Sequence, residues 1–168
     1  MAAADEKPRF IADAMLGRLA KSLRMLGCDT SYEPDIDDND LKMTALREGR
    51  VLLTRDREVA QTSLPVTVLL IGSDHLAEQL VEVAREFDVG PGEELFSRCL
   101  ICNVAVEDVE KDAVEARVPE YVYATQERFA KCPSCGRIYW AATHVERARE
   151  WLESVLGTGR QESEKERR

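Results

Sequence analysis

Two sets of side chains in this sequence have the types and spacing to do chemistry: four aspartates in the first half and four cysteines in the second. Asp13 closes the run Arg9-Phe-Ile-Ala, Asp56 follows Val51-Leu-Leu-Thr-Arg, and Asp74 follows Val66-Thr-Val-Leu-Leu-Ile-Gly-Ser; Asp38 opens a helical segment between the first two runs. In an α/β sheet the carboxyl ends of parallel strands share one edge, where ligands bind. Carboxylates collected there suit magnesium or manganese, because hard divalent cations prefer carboxylate and water oxygens. Two such ions about 3.5–4 Å apart can activate water and stabilise the attacking and leaving oxygens of a phosphodiester. Each aspartate also has a plainer reading. Asp38, Asp56 and Asp74 precede helical segments and could be N-caps. Asp13 needs a partner of some kind, since a carboxylate directly after a buried strand is costly alone.

The cysteines pair as Cys99-Leu-Ile-Cys102 and Cys132-Pro-Ser-Cys135. Two such turns can present four thiolates tetrahedrally to zinc at about 2.3 Å, leaving no position for substrate, so the metal would be structural. Asn103 and Gly136 follow the pairs where a positive φ is often wanted, and both types tolerate it. The 29 residues between Cys102 and Cys132 exceed the usual zinc-ribbon interval of about 15–20, implying an inserted hairpin or loop. Disulfides and a redox-active pair are competing readings; the matched close pairing and a reducing compartment argue against both. Such zinc commonly replaces a core too small to hold itself together. Arg98, Arg128, Phe129, Lys131, Arg137, Tyr139 and Trp140 surround the turns and offer a cationic, aromatic surface on which RNA bases could stack, with Phe129 or Trp140 alternatively in the core. His144 reads as a surface or capping residue, and Cys28 as a small buried hydrophobe.

These groups need a scaffold, and the pattern predicts one. Phe10-Ile-Ala reads as a short buried strand, followed by a helix over about 15–26 whose Leu16, Leu19, Ala20, Leu23 and Leu26 recur at helical spacing before Gly27. Thr30-Ser-Tyr-Glu is a second strand, a helix runs to Glu48, and Val51–Thr54 and Val66–Ile71 are the clearest strands, with a short helix from near Asp56 between them. Ser73 or Asp74 can cap a helix running to about Phe87. Alternating strand and helix predicts an α/β fold with a parallel sheet. The break at Val89-Gly-Pro-Gly puts a boundary near residue 95, giving a domain over 9–95 and a ribbon with a C-terminal helix over 96–156. Residues 1–8 are expected to be a loose leader and 157–168 a disordered polar tail.

The net charge is −9, with −8 of it in residues 1–96. An acidic balance opposes a simple electrostatic nucleic-acid binder, but divalent cations on the aspartates would offset part of it. No apolar run approaches the roughly 20 residues of a membrane span, and the start lacks an apolar signal core, so a cytoplasmic protein is expected.

The segments Asp13-Ala-Met-Leu-Gly-Arg-Leu-Ala-Lys-Ser-Leu-Arg-Met-Leu-Gly, Gly49-Arg-Val-Leu-Leu-Thr-Arg-Asp-Arg, Arg98-Cys-Leu-Ile-Cys-Asn and Cys132-Pro-Ser-Cys-Gly-Arg-Ile-Tyr-Trp, with Thr143-His144, resemble the Mut-seven C-terminal RNase family in order from about residue 9 to 150. The resemblance implies a PIN-like three-layer α/β/α sandwich with a mainly parallel sheet, a C-terminal zinc ribbon and terminal helix, and an acidic, metal-dependent ribonuclease site. By position, Asp13 is the first-strand acid, Asp38 the acid opening the second helix, with Asp37 or Asp40 as substitutes, and Asp56 the acid of the Thr-x-Asp element. Asp74 lies where PIN domains often place a fourth. Thr54 would orient a metal-bound water or the Asp56 loop, or else cap backbone. Arg18, one turn into the helix after Asp13, could grip a scissile phosphate. Arg55 and Arg57 are weaker candidates, and charge balance is the alternative for all three. Expected cofactors are structural Zn2+ and catalytic Mg2+ or Mn2+; expected partners are RNA and RNA-processing or ribosomal proteins, with no membrane. The rivals are a non-catalytic RNA- or protein-binding adaptor and a phosphoacceptor domain, for which no lysine follows Val66–Ile71 before the cysteines.

Overall fold

The alternation of short apolar runs and amphipathic segments folds into layers. In the computed structural model, which describes residues 7–166, β1 (Phe10–Ala12), β2 (Thr30–Tyr32), β3 (Val51–Thr54) and β4 (Val68–Leu70) form a parallel sheet in the order β2-β1-β3-β4. Parallel neighbours require crossovers, which are supplied by α1 (Gly17–Met25), α2 (Asp38–Glu48) and α3 (Arg57–Ala60); α4 (Leu76–Phe87) follows β4. Successive strand residues point to opposite faces. Phe10, Ala12 and Leu53 therefore join one buried cluster with Leu19 and Leu23 of α1 and Leu80 and Val83 of α4. Ile11 and Leu52 join a second with Leu41 and Ala45 of α2 and Val59 of α3. The result is the expected three-layer α/β/α arrangement. Leu23 has no exposed surface, so truncation to alanine should cost about 2–5 kcal/mol.

The second module is an antiparallel sheet of β5 (Glu107–Val109), β6 (Phe129–Lys131) and β7 (Ile138–Trp140), in the order β5-β6-β7. The long interval between the cysteine pairs holds β5, a 3-10 segment over Lys111–Arg117 and α5 (Glu120–Thr125). The insertion thus adds a strand and helical turns as well as loop.

The chain then returns to the sandwich. α6 (Thr143–Glu166) inserts Leu152 and Leu156 into the same core as α1 and α4. The helix continues through Gly157, past the end expected at Leu156. Of the segment expected to be a disordered tail, 167–168 lie outside the described residues, as do 1–6 of the expected leader.

The connection between the modules is tightly held. Gly27 has φ +83°, and a Cβ there would lie 2.6 Å from the Glu94 carbonyl oxygen, so the segment passing over the end of α1 excludes any larger residue. The Phe96 N–H donates to the Met25 carbonyl at 2.7 Å. Buried polar groups complete the joint. Arg24 donates to the carbonyls of Thr30, Leu100 and Ile101 at 2.9, 2.8 and 3.2 Å. Asn103 accepts from the Thr30 N–H at 2.9 Å and donates to Asp29 at 2.7 Å, while Asp29 also accepts from Arg50 at 2.6 Å and Arg9 at 3.2 Å. Arg9, Asp29 and Arg50 each precede a strand of the parallel sheet. The first cysteine turn is therefore fastened to the amino-terminal edge of the sheet.

Candidate active site and metal centre

The strand order places a switch point between β1 and β3: the connection from β1 runs outward to β2, and the next crosses back to β3 on the other side. A crevice at the carboxyl ends of two such strands is where open α/β sheets take ligands. Asp13 directly follows β1, Thr54 ends β3 and Asp56 caps α3, so these residues stand at that point of the sheet's edge. Asp13 is 7 % exposed, and its carboxylate is held by three donors. Oδ1 accepts the Met15 N–H at 2.9 Å, and Oδ2 accepts the Arg55 N–H at 3.1 Å and the Thr54 hydroxyl. The fully buried Thr54 Oγ1 also accepts the Asp56 N–H at 3.0 Å. One hydroxyl thus ties the first acid to the loop carrying the second. The two long-range partners of Asp13 were not visible from spacing alone, because they lie 41 and 42 residues away.

Asp56 is exposed and caps α3, its Oδ1 accepting from the N–H groups of Glu58 and Val59 at 2.7 and 3.3 Å. Both bonds fall on one oxygen, leaving Oδ2 for other work. At the head of α2 the cap is Asp37, which accepts from Asn39 and Asp40 at 2.9 Å each. This corrects the assignment of Asp38 as cap: Asp38 is the first helical residue, exposed, with Asp40 beside it in the first turn. β2, β1 and β3 are neighbours, so Asp38, Asp13 and Asp56 leave the same edge from adjacent strands. Asp74 is the outlier. It follows β4, is 69 % exposed, lies 3.5 Å from His75 Nε2, and is not the cap of α4, where His75 holds that position without a side-chain bond. The loop is instead held by Glu82, which accepts from the N–H groups of Gly72 and Ser73 at 2.9 and 3.1 Å. Arg18 is exposed at the start of α1, and Arg57 is exposed on α3. Arg55 is half-buried, and its Nε is a buried donor with no acceptor among the described residues.

The cysteines converge. The Sγ atoms of Cys99, Cys102, Cys132 and Cys135 lie within 4.8 Å of one another, the only such group of three or more potential ligands among the described residues. The aspartates are not drawn together to that extent. Cys99 and Cys135 are 3.9 Å apart, close to the roughly 3.8 Å edge of a tetrahedron with 2.3 Å bonds. Within each turn a backbone N–H, of Cys102 or Cys135, points at the first sulfur at 3.4 Å. The turns close with Asn103 at φ +61° and Gly136 at φ +72°, the left-handed conformations expected of those two types. Burial opposes ionisation of Cys99, but the Tyr139 hydroxyl at 3.0 Å and the N–H groups of Cys102 and Ile101 bring its thiol down to about 6. Contact with Cys135 pushes Cys102 up to about 11. The four sulfurs are placed to hold a metal such as zinc, which binds thiolates outright. Cys28 takes no part: it is fully buried, and burial pushes its thiol up to about 11. Phe129 is buried at 3 % exposure and so cannot stack on RNA. Arg128, Lys131 and Arg137 are exposed, as is His144 on the first turn of α6, while Tyr139 and Trp140 are half-buried.

No helix among the described residues is long and apolar enough to cross a membrane. No curated protein and no solved structure matches the chain. Residues 8–152, which span the parallel sheet, both cysteine turns and α6 as far as Leu152, match the profile of the Mut7-C RNAse domain. The chain belongs to the Mut7-C RNAse domain family.

Proposed function

We propose that the protein is a metal-dependent ribonuclease whose site is the carboxylate edge, with the cysteine module holding structural zinc. The observation that carries this reading is the Asp13–Thr54–Asp56 linkage at the switch point, where a buried carboxylate and an exposed one are locked in fixed relation. The donor set is consistent with a hard cation, and magnesium usually keeps several waters while taking only one or two carboxylates. Asp13, Asp38 and Asp56 would hold magnesium or manganese, with Asp74 further out on β4. Bound there, the ion supplies a Lewis acid for the scissile phosphate and a water of lowered pKa. Thr54 keeps Asp13 from rotating, and the α3 N–H groups hold one Asp56 oxygen so that the other faces outward. Arg18, one turn into the helix after Asp13, and Arg55, beside Asp56, would neutralise the phosphate; the unpartnered Arg55 Nε supports this, since a buried donor without an acceptor is costly.

Cation binding can be measured apart from turnover. Titration of Mn2+ into zinc-loaded protein by calorimetry should show binding that is lost or weakened at least tenfold in Asp13→Asn and Asp56→Asn. Equal binding by the wild type and both variants would remove the carboxylate edge as the site.

A further inference from the structure

A cavity of about 290 Å³ lies at the junction of the two modules, opposite in the sheet from the carboxylates. Met25, Phe96, Tyr139 and Trp140 line it together with Arg98, Arg149, His144 and Glu146. Ligand pockets begin at about 300 Å³, so this one suits a single planar ring system. Its composition is particular: aromatic rings, an imidazole, and two guanidinium groups held in place, Arg98 by the Gly27 and Asn103 carbonyls at 3.4 and 2.5 Å and Arg149 by Glu146 at 3.7 Å, so that their planes rather than their free charge are on offer. Aromatic faces and arginine planes are what unstacked bases pack against in single-stranded RNA recognition.

Two further features support a binding role. Phe96 has φ +60°, a costly conformation for a bulky side chain, and such outliers persist where the surroundings hold them for a purpose. Its ring lies 5.9 Å below the Arg149 guanidinium, forming a cation–π pair on the cavity wall. The second feature is a path. Arg18, Lys21 and Met25 share one face of α1, being three and four residues apart. Arg18 and Lys21 are exposed and Met25 lines the cavity. The nine residues of α1 put about 13 Å between its ends, so this basic face joins the carboxylate edge to the cavity.

We infer that the cavity receives one unpaired base of the RNA strand, with Lys21 and Arg18 leading the phosphates along α1 toward Asp13. The inference rests on the RNA-directed reading above and deepens it: a mononucleotide would not occupy both places, whereas a short single strand would. Recognition is by stacking and charge, so unpaired RNA is preferred over a duplex.

The test uses the zinc-loaded full chain without added divalent cations, so that binding is read without cutting. Anisotropy of an end-labelled single-stranded RNA decamer is measured with an abasic nucleotide placed at each position in turn. One position should stand out, its abasic form binding about tenfold more weakly, the scale of one lost base–aromatic stack. Trp140→Leu, with zinc content checked, should weaken the intact decamer by a similar factor and abolish the further effect of that abasic position. Lys21→Glu should weaken all decamers alike. A flat abasic profile on the wild type, which needs no variant to fold, overturns the proposal, as does Trp140→Leu binding within twofold of wild type. Manganese-dependent cleavage with a flat profile removes the base pocket alone; a peaked profile in a protein that never cuts retains the pocket and removes the nuclease.

Discussion

The Thr54 hydroxyl donates to Asp13 and accepts from the Asp56 N–H, so a single oxygen sets the distance between two of the proposed ligands. Removing it by Thr54→Val leaves a buried Asp13 oxygen with the Arg55 N–H alone, at a cost of about 1–3 kcal/mol. Urea unfolding should show that loss, and RNA cleavage should fall with it, while Thr54→Ser, which keeps the hydroxyl, should retain most of both. A Thr54→Val protein as stable and as active as the wild type would show that the hydroxyl does not hold the two acids. The Thr-x-Asp spacing was legible in the sequence because it is local. The partner of Asp13 was not, since that contact depends on β1 and β3 lying side by side although 38 residues separate Ala12 from Val51. The same limit explains the shift of the α2 cap from Asp38 to Asp37: Asp37, Asp38 and Asp40 are all good capping types, and only the backbone angle of one of them, φ −78° and ψ 161° at Asp37, decides.

At the scale of elements, the first cysteine turn is part of the sheet's amino-terminal edge. Asn103 protects the Thr30 N–H and grips Asp29, and Arg24 is satisfied by the Leu100 and Ile101 carbonyls. Loss of the metal should therefore loosen β2 as well as the ribbon. Hydrogen exchange after chelation should accelerate at Thr30; unchanged protection there would mean that the turn holds its shape without metal. Asp29 also gives a pH signature. Burial opposes its ionisation, but the bonds from Arg50 and Asn103 prevail and hold its carboxyl below the ordinary value. Its folded pKa is depressed, so its contribution to stability is complete above the unfolded value of about 3.9 and is lost as pH falls through the lower folded value. Asp29→Asn should make the acid limb of the stability profile shallower below about pH 4 and lower stability at neutral pH, measured by thermal unfolding across pH. The metal-binding spacing of the cysteines was legible; the docking was not, because Asn103 reads equally well as a residue chosen only for its positive φ.

Across the whole molecule, the helix after the ribbon completes the core of the sandwich through Leu152 and Leu156, so the ribbon is enclosed between two parts of one hydrophobic unit. Four strands and their crossovers were legible from periodicity, but the return of α6 was not, since an amphipathic helix does not name the surface it covers. The carboxylates and the ribbon occupy opposite edges of the parallel sheet, and the four residue steps from Arg9 to Asp13 correspond to about 13 Å. Any RNA touching both must run along the sandwich, so affinity should fall with salt as phosphate contacts are lost. Ribonuclease action at the carboxylate edge is tested most directly by incubating zinc-loaded protein with end-labelled single-stranded and structured RNA, with and without manganese, beside Asp13→Asn and Asp56→Asn. The expected result is manganese-dependent cleavage that falls at least about 100-fold in each variant, the scale of losing a group that acts on the transition state. Undiminished cleavage by folded Asp13→Asn, or none by the folded wild type with manganese, would contradict a nuclease at this edge, the second result favouring an RNA-binding adaptor.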